Sequence, residues 1–377
     1  PGANGPVLNH YSKPAVEKYL NRMSDALDAK LGSMGTHLRS LFVDSMELEG
    51  ANWCDDMPEQ FARRRGYALA PYLPFILFKT GRMGRALDQV YGAKLSAAAQ
   101  DMIERVRYDF EITRLELFRE RFLETFLAWC RKHGVQSRVQ AYGREYHPLE
   151  ASLSVDIPEC ETWVRPETGE PLKDFEFKQG RSYSQVNKLV ASAARLTGKR
   201  LVSCEELTNT QVVFNASLEK LKVVADLSNL SGVTHSILHG FNYSPKEAPF
   251  PGWVRYGTFF NERNPWWPYF NRLVDYKARL SAVFQNADPY ADITLLHPLA
   301  DLWSKFGVQW DPNPERAWPD YVFNVWEGLQ QSGNACDYVS EQILQNATFS
   351  QGVMAYGPRR YKTLLLIEVE SMQSQTA

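Results

Sequence analysis

The chain has 377 residues, with 42 Lys and Arg against 44 Asp and Glu, so its formal charge is −2. That balance excludes a strongly basic, nucleic-acid-binding surface, and 44% hydrophobic with 23% charged residues describes a globular rather than a disordered chain. No apolar run approaches the ~20 residues of a membrane-spanning helix. The length accommodates one large α/β domain of ~250 residues plus a smaller one, or two to three medium domains. Aromatic residues reach 13%, a density that serves either a packed core or the ring platforms of a sugar-binding cleft. The five cysteines, Cys54, Cys130, Cys160, Cys204 and Cys336, lie far apart with no CxxC pair, which argues against a disulfide framework and a structural zinc site. The chain starts at Pro1 and shows no signal-peptide pattern, so it reads as processed or cut.

In chain order, 14–30 reads as a helix before a strand at 38–44. The stretch 86–133 is helical, with Phe118, Phe122, Phe126 and Trp129 on one face and Gly134 as its stop. Residues 135–141 then alternate apolar and polar as a strand does, and Tyr142-Gly143 opens a loop. The rhythm recurs: helix 184–197 stopped at Gly198, strand 200–205; helix 217–231 stopped at Gly232, strand 234–239; helix 267–285, strand 292–297. Five strands each preceded by a helix imply parallel pairing, which suits a TIM-type (β/α)8 barrel or an open doubly wound sheet. The barrel is favoured because Asp44 and Glu47, Gln140, Glu205 and His239 all fall at or just past the C-terminal end of a strand, and in a barrel those ends share one mouth. Fewer than eight strands precede residue 290, so the barrel is expected to be incomplete.

After Pro298 the texture changes to a Pro-rich, polar stretch carrying Trp303, Trp310, Trp318 and Trp326. A helix near 338–346 and the apolar run 361–368, of the kind a buried parallel strand shows, suggest part of a smaller Rossmann- or flavodoxin-like α/β domain. The expected division is a catalytic barrel over 1–297 and a partial second domain over 298–377.

Three acidic clusters carry candidate chemistry. Asp44-Ser-Met-Glu47 closes a strand ahead of Trp53, and carboxylates at a barrel mouth can move protons or hold a hard cation such as Ca²⁺. Asp156, Glu159 and Glu161, followed by Trp163, read as a loop after the second strand. In Cys204-Glu205-Glu206, Glu205 should project from the barrel rim and Glu206 away from it. Convergence of these clusters beside Trp53, Trp163 and Trp253 is what glycosidic-bond cleavage requires, since one protonated carboxyl must serve the leaving oxygen and one carboxylate must activate water or attack. His239, Asn242 and Tyr243 could bind sugar hydroxyls. The aromatic loop that includes Trp253, Trp266 and Trp267 either walls the cleft or is a packed lid.

The ordered set Asp44-Ser-Met-Glu47, Arg63-Arg-Arg-Gly-Tyr67, Asp156-Ile-Pro-Glu159, Ser192-Ala-Ala194, Ser203-Cys-Glu205, His239-Gly-Phe-Asn-Tyr-Ser-Pro245, Phe250-Pro-Gly-Trp253 and Asn261-Glu-Arg-Asn264 resembles glycoside hydrolase family 106, the α-L-rhamnosidases. The resemblance implies a multidomain, extracytoplasmic (periplasmic or secreted) enzyme. It would remove α-linked L-rhamnose from an oligosaccharide or a plant polysaccharide such as pectin, with inversion and with Ca²⁺ in the sugar site. Carried over by position, Glu47 is the expected general acid and Glu205 the general base. Asp156 and Glu159 are the expected metal ligands, and Asp44, Trp53, Gln140, Asp156, His239, Tyr243 and Trp253 the expected sugar contacts. The loop 162–182 looks long for the family, and accessory domains are expected elsewhere in a longer chain. A glycosidase of the same architecture with another sugar specificity, such as a β-galactosidase-like enzyme, and a noncatalytic carbohydrate-binding relative are the alternatives.

Overall fold

The computed structural model describes residues 5, 7–48, 51–77, 96–143, 146–164, 174–209, 213–252, 256–306 and 320–377, with 174–182, 306 and 320 given by backbone alone. In chain order the first part comprises α1 (Lys13–Leu31), β1 (Ser40–Val43), α2 (Met57–Arg65), α3 (Leu73–Leu77), α4 (Ala97–Phe118), α5 (Glu124–Lys132), β2 (Gln136–Gln140), α6 (Pro148–Ser154), β3 (Ile157–Trp163), α7 (Asp174–Leu196), β4 (Ser203–Thr208), α8 (Leu218–Ser231), β5 (His235–Leu238) and α9 (Phe270–Asn286). There follow β6 (Ile293–Leu296), α10 (Leu299–Phe306), α11 (Asp320–Gln331), β7 (Cys336–Val339), α12 (Glu341–Asn346), β8 (Thr348–Ser350), β9 (Val353–Tyr356), β10 (Arg359–Tyr361) and β11 (Thr363–Leu366).

Strands β1 to β5 form one parallel sheet in sequence order. An order that never reverses, with helical crossovers, is the wall of a barrel; a doubly wound sheet would reverse at its switch point. The described strands therefore make a parallel half-barrel. Its outer strands β1 and β5 are only partly covered. Helices α4 and α5 are joined through a π-helical turn at Arg119–Leu123, and the apolar stripe expected there is a core: Phe118, Phe122, Phe126 and Trp129 are all buried. Gly232 ends α8 at φ 113°, where an added Cβ would collide with the Ala191 side chain of α7. A glycine there lets the two neighbouring helices close on each other.

A second parallel sheet, ordered β11-β6-β7, stands beside the first, and β8, β9 and β10 form an antiparallel ladder ordered β10-β9-β8. Helix α7 joins the two parts. Its Ser192 hydroxyl accepts from Tyr338 N at 2.9 Å, and Arg195 binds Asp337 at 2.9 Å, while Tyr361 donates to the same carboxylate at 2.8 Å.

Four expectations change. The acidic stretch 157–163 is strand β3, not a loop: Pro158 and two carboxylates break the apolar pattern of a central strand, but Glu159 is matched by Arg138 and Glu161 by Tyr142 and Thr208. Strand β6 pairs with β7 and β11 rather than continuing the barrel, so a boundary at 297 cuts through the second sheet. Residues 336–339 are a strand, and the helix expected near 338–346 is confined to α12. The run at 361–368 holds the parallel strand β11, but at a sheet edge, where Leu364 and Leu366 are exposed. The second part is thus a three-stranded parallel sheet with an antiparallel ladder.

Candidate active site

Side chains at two levels on β2, β3, β4 and β5 make a polar interior. At the lower level Arg138 donates to Glu159 Oε1 at 2.7 Å and also contacts its Oε2. The same carboxylate accepts from the Ser203 hydroxyl, and the Arg138 guanidinium lies 4.2 Å from the centre of the Phe42 ring. Burial and the neighbouring Arg138 and Arg39 hold the imidazole of His235, which pairs in register with Ser203, below the ordinary histidine range.

The upper level centres on Glu205. Gln140, the last residue of β2 and wholly buried, donates from Nε2 to Glu205 Oε2 at 2.9 Å. His239, just past β5, places Nε2 3.3 Å from Glu205 Oε1. The Glu205 side chain is 20% exposed and that of His239 34%, so the pair faces solvent from a largely desolvated seat. Burial raises the Glu205 pKa; Gln140 and His239 oppose the rise, and the charges of Asp44 and Glu159 add to it. A carboxyl held this way is poised for proton transfer.

Asp44 and Glu47 lie on the loop that follows β1. Asp44 accepts from Ser45 N at 2.8 Å, and Ser45 N also donates to Gln140 Oε1 at 3.1 Å. Met46 N donates to Tyr142 O at 3.1 Å and Met46 bridges to Gly143, which fastens this loop to the one after β2. Gly143 has φ 99°, and a Cβ there would strike the Met46 backbone, so the close approach needs glycine. Glu47 is carried, exposed, on the fastened loop.

Glu161, named in the second acidic cluster but expected in no catalytic, sugar-binding or metal role, joins the site. It pairs in register with Glu205, is buried, accepts from Thr208 Oγ1 at 2.8 Å and bonds the Tyr142 hydroxyl. Burial pushes its carboxyl up to about 7, with the Glu205 charge adding to the rise and its hydrogen bonds opposing it. The signal that finds it is the spacing Glu159-Cys-Glu161: in a loop it means little, but in a strand residues two apart share one face. Glu206, by contrast, points away from the interior as expected. It is fully buried and binds Lys277 of α9 at 3.0 Å.

The two expected metal ligands have different partners. Asp156 precedes β3, at the opposite end of the sheet from Glu205, and accepts from Ser137 N at 2.9 Å and Ser137 Oγ at 2.8 Å, closing the entry to β3. Glu159 is taken up by Arg138 and Ser203. The two therefore do not form one Ca²⁺ site, and among the described residues no group of three His, Cys, Asp or Glu side chains could hold a metal. Trp53 is 40% exposed and stacks on Phe110 with ring centres 6.4 Å apart. Tyr243 is 76% exposed on the loop after β5. Asn242 serves that loop itself, its Oδ1 accepting from Phe260 N at 3.0 Å and its backbone carbonyl from Asn261 Nδ2 at 2.8 Å. Trp266 donates to Ala216 O at 2.8 Å, and Trp266 and Trp267 pack on Phe270 in the apolar cluster that includes Leu221 and Leu273. Trp253 lies outside the described residues, as do Trp310 and Trp318.

Comparison with known proteins bears on this arrangement. Residues 2–325 match the family model of glycoside hydrolase 106, described as alpha-L-rhamnosidase. A protein of Formosa agariphila provisionally named a beta-glucuronidase is 27% identical over 294 residues, covering 78% of this chain and 23% of its own length. Among solved structures, the rhamnosidase from Novosphingobium sp. PP1Y superposes with TM-score 0.68 at 22% identity, over 97% of this chain and 32% of that one. The β-galactosidase from Rahnella sp. R3 gives TM-score 0.56 at 11% identity, over 88% and 49%. These likenesses show the fold. The chain spans 23% and 32% of the first two relatives.

Proposed function

The chain belongs to the glycoside hydrolase 106 family, the alpha-L-rhamnosidases, and from that premise we propose that it carries the site that removes α-linked L-rhamnose from a glycan. The observation behind the reading is the seating of Glu205 within β4, oriented by Gln140 at the end of β2 and faced by His239 just past β5. Fixed on two sides, the Glu205 carboxylate is the general base that takes a proton from water, and Glu47, on the exposed loop fastened at Gly143, is the general acid that protonates the leaving oxygen. An inverting course needs the two carboxyl groups ~6.5–9.5 Å apart with water between them. Asp44 lies at the same mouth, where its charge acts on Glu205.

No step is assigned to Ca²⁺, because the expected ligands Asp156 and Glu159 are separated and already bonded within the protein. Action on pectin-like plant polysaccharide, an extracytoplasmic location and further domains in a longer chain belong to the same proposal through the family.

A second reading, the same chemistry on another sugar, is favoured by one finding, the relative provisionally named a beta-glucuronidase. A panel of aryl glycosides separates the two. Turnover of the α-L-rhamnoside above the β-D-glucuronide and β-D-galactoside supports the first, and the reverse order supports the second. The panel repeated with EDTA tests metal dependence independently.

A further inference from the structure

A cavity of about 340 Å³ lies between the half-barrel and the second sheet and shares no lining residue with the Glu205 group. On one side are Tyr108 of α4 and His147 and Glu150 at the start of α6. On the other are His297 and Trp303, which follow β6, and Gln342, which follows β7. It therefore opens outside the carboxyl ends of two neighbouring parallel strands, the position where α/β sheets bind ligands. The volume lies at the lower end of the ~300–1,000 Å³ of small-molecule sites, which suits one ring rather than a chain.

The lining states what kind of ring. Trp303 is half-buried, within 6.2 Å of the Tyr108 ring and 5.9 Å of the His147 ring, so rings from the two sides meet at one end of the cavity, with His147 edge-on to Trp303. Gln342 and Glu150 bring hydrogen-bonding groups from opposite sides. The cations nearby are engaged: Arg65 binds Glu116 at 2.6 Å, and Arg119 lies 3.7 Å from Glu124. Burial lowers the pKa of both His147 and His297, so neither imidazole adds charge near neutral pH. Ring surfaces, amide and carboxylate partners and no spare cation among the described residues disfavour a phosphate or carboxylate ligand and match a neutral, hydroxyl-rich one.

We propose that this cavity is a second carbohydrate site, taking one neutral pyranose residue with its apolar face on Trp303 and its hydroxyls toward Gln342, Glu150 and His147. Such a site would hold a glycan to the enzyme away from the bond being cleaved. Its local effective concentration would raise the apparent affinity for polymeric substrate but not for a short aryl glycoside.

The test is a calorimetric titration of the intact protein carrying Glu205→Gln with L-rhamnose and with D-galactose, repeated after adding Trp303→Ala or Gln342→Ala. The expected result is a binding event that each added substitution weakens by about tenfold or more. In a Glu205 background, the Trp303 and Gln342 variants should keep parental turnover of an aryl glycoside, which shows that they fold. Binding of both sugars left unchanged by both substitutions, or no saturable binding of either, would overturn the proposal. Because the titration reads heat rather than hydrolysis, it can succeed or fail independently of the rhamnosidase reading.

Discussion

Gln140 Nε2 donates to Glu205 Oε2 at 2.9 Å while Gln140 Oε1 accepts from Ser45 N at 3.1 Å, so one buried amide ties the β4 carboxylate to the loop after β1. The two candidate catalytic carboxyls are thus positioned through a shared residue. Strands β2 and β4 are separated by β3, and only a long side chain from β2 spans that gap inside a curved sheet.

Replacing Gln140 with Leu should therefore impair catalysis without touching substrate. The amide favours the ionised form of Glu205, so its loss raises the Glu205 pKa further. A base works only when ionised, and the acidic limb of the kcat/KM profile should move to higher pH. Loss of a buried hydrogen bond to a charged group corresponds to about 1.5–3 kcal/mol, or roughly 10- to 100-fold in kcat at a pH near the limb. An unshifted limb would separate Gln140 from Glu205.

Glu161 makes stability depend on pH. Its folded pKa, about 7, lies above the ordinary 4.5. The folded state thus holds the proton more tightly, and the associated stability is present below pH ~4.5 and lost as pH rises through ~7. A tenfold change in proton affinity corresponds to roughly 1.4 kcal/mol, so the Glu161→Gln variant should lack a loss on the order of 3 kcal/mol between those limits. Its thermal midpoint should vary less with pH than that of the parent, and parallel curves would contradict the assignment.

The buried pair Glu206–Lys277 fastens α9 to β4. Lys277→Met should destabilise the fold by about 3–5 kcal/mol, because it strands a buried charge, and Glu206→Gln added to it should recover much of the loss. Denaturant titration of the single and double variants reads both effects.

Gly143 tests the clasp between the β1 and β2 loops. An alanine there meets the Met46 backbone and must adopt φ 99°, so Gly143→Ala should displace the segment bearing Glu47. A fall of about tenfold or more in kcat is expected, since small misplacements of a reacting group are costly. Unchanged kcat with a lowered melting temperature would make the clasp purely structural.

Much of the barrel wall was legible in the sequence, for identifiable reasons. Helices α1, α7, α8 and α9 and strands β1, β2, β4 and β5 follow apolar periodicity broken by glycines such as Gly134, Gly198 and Gly232, all at positive φ. Strand β3 is hidden because its polar residues find partners only across neighbouring strands: Arg138 and Tyr142 are far from Glu159 and Glu161 in neither space nor register, but nothing local marks them as mates. Strand β6 looks like one more barrel strand because its own pattern is the same; only pairing with β7 and β11 tells which sheet it joins. At the site, Asp44, Gln140 and His239 lie at or just past strand ends as expected, whereas Glu205, expected to end a strand over 200–205, lies inside β4, level with Glu161. Asp156 is misplaced by sequence reasoning because a carboxylate beside a strand reads alike at either end.

The proposal that Glu205 and Glu47 are the proton-transfer pair of a rhamnosidase is decided by steady-state hydrolysis of an aryl α-L-rhamnoside by the intact protein and its Glu205→Gln and Glu47→Gln variants, each confirmed as folded by its melting temperature. Each variant should lose about 10²–10⁴-fold in kcat. Parental turnover in either folded variant would contradict it.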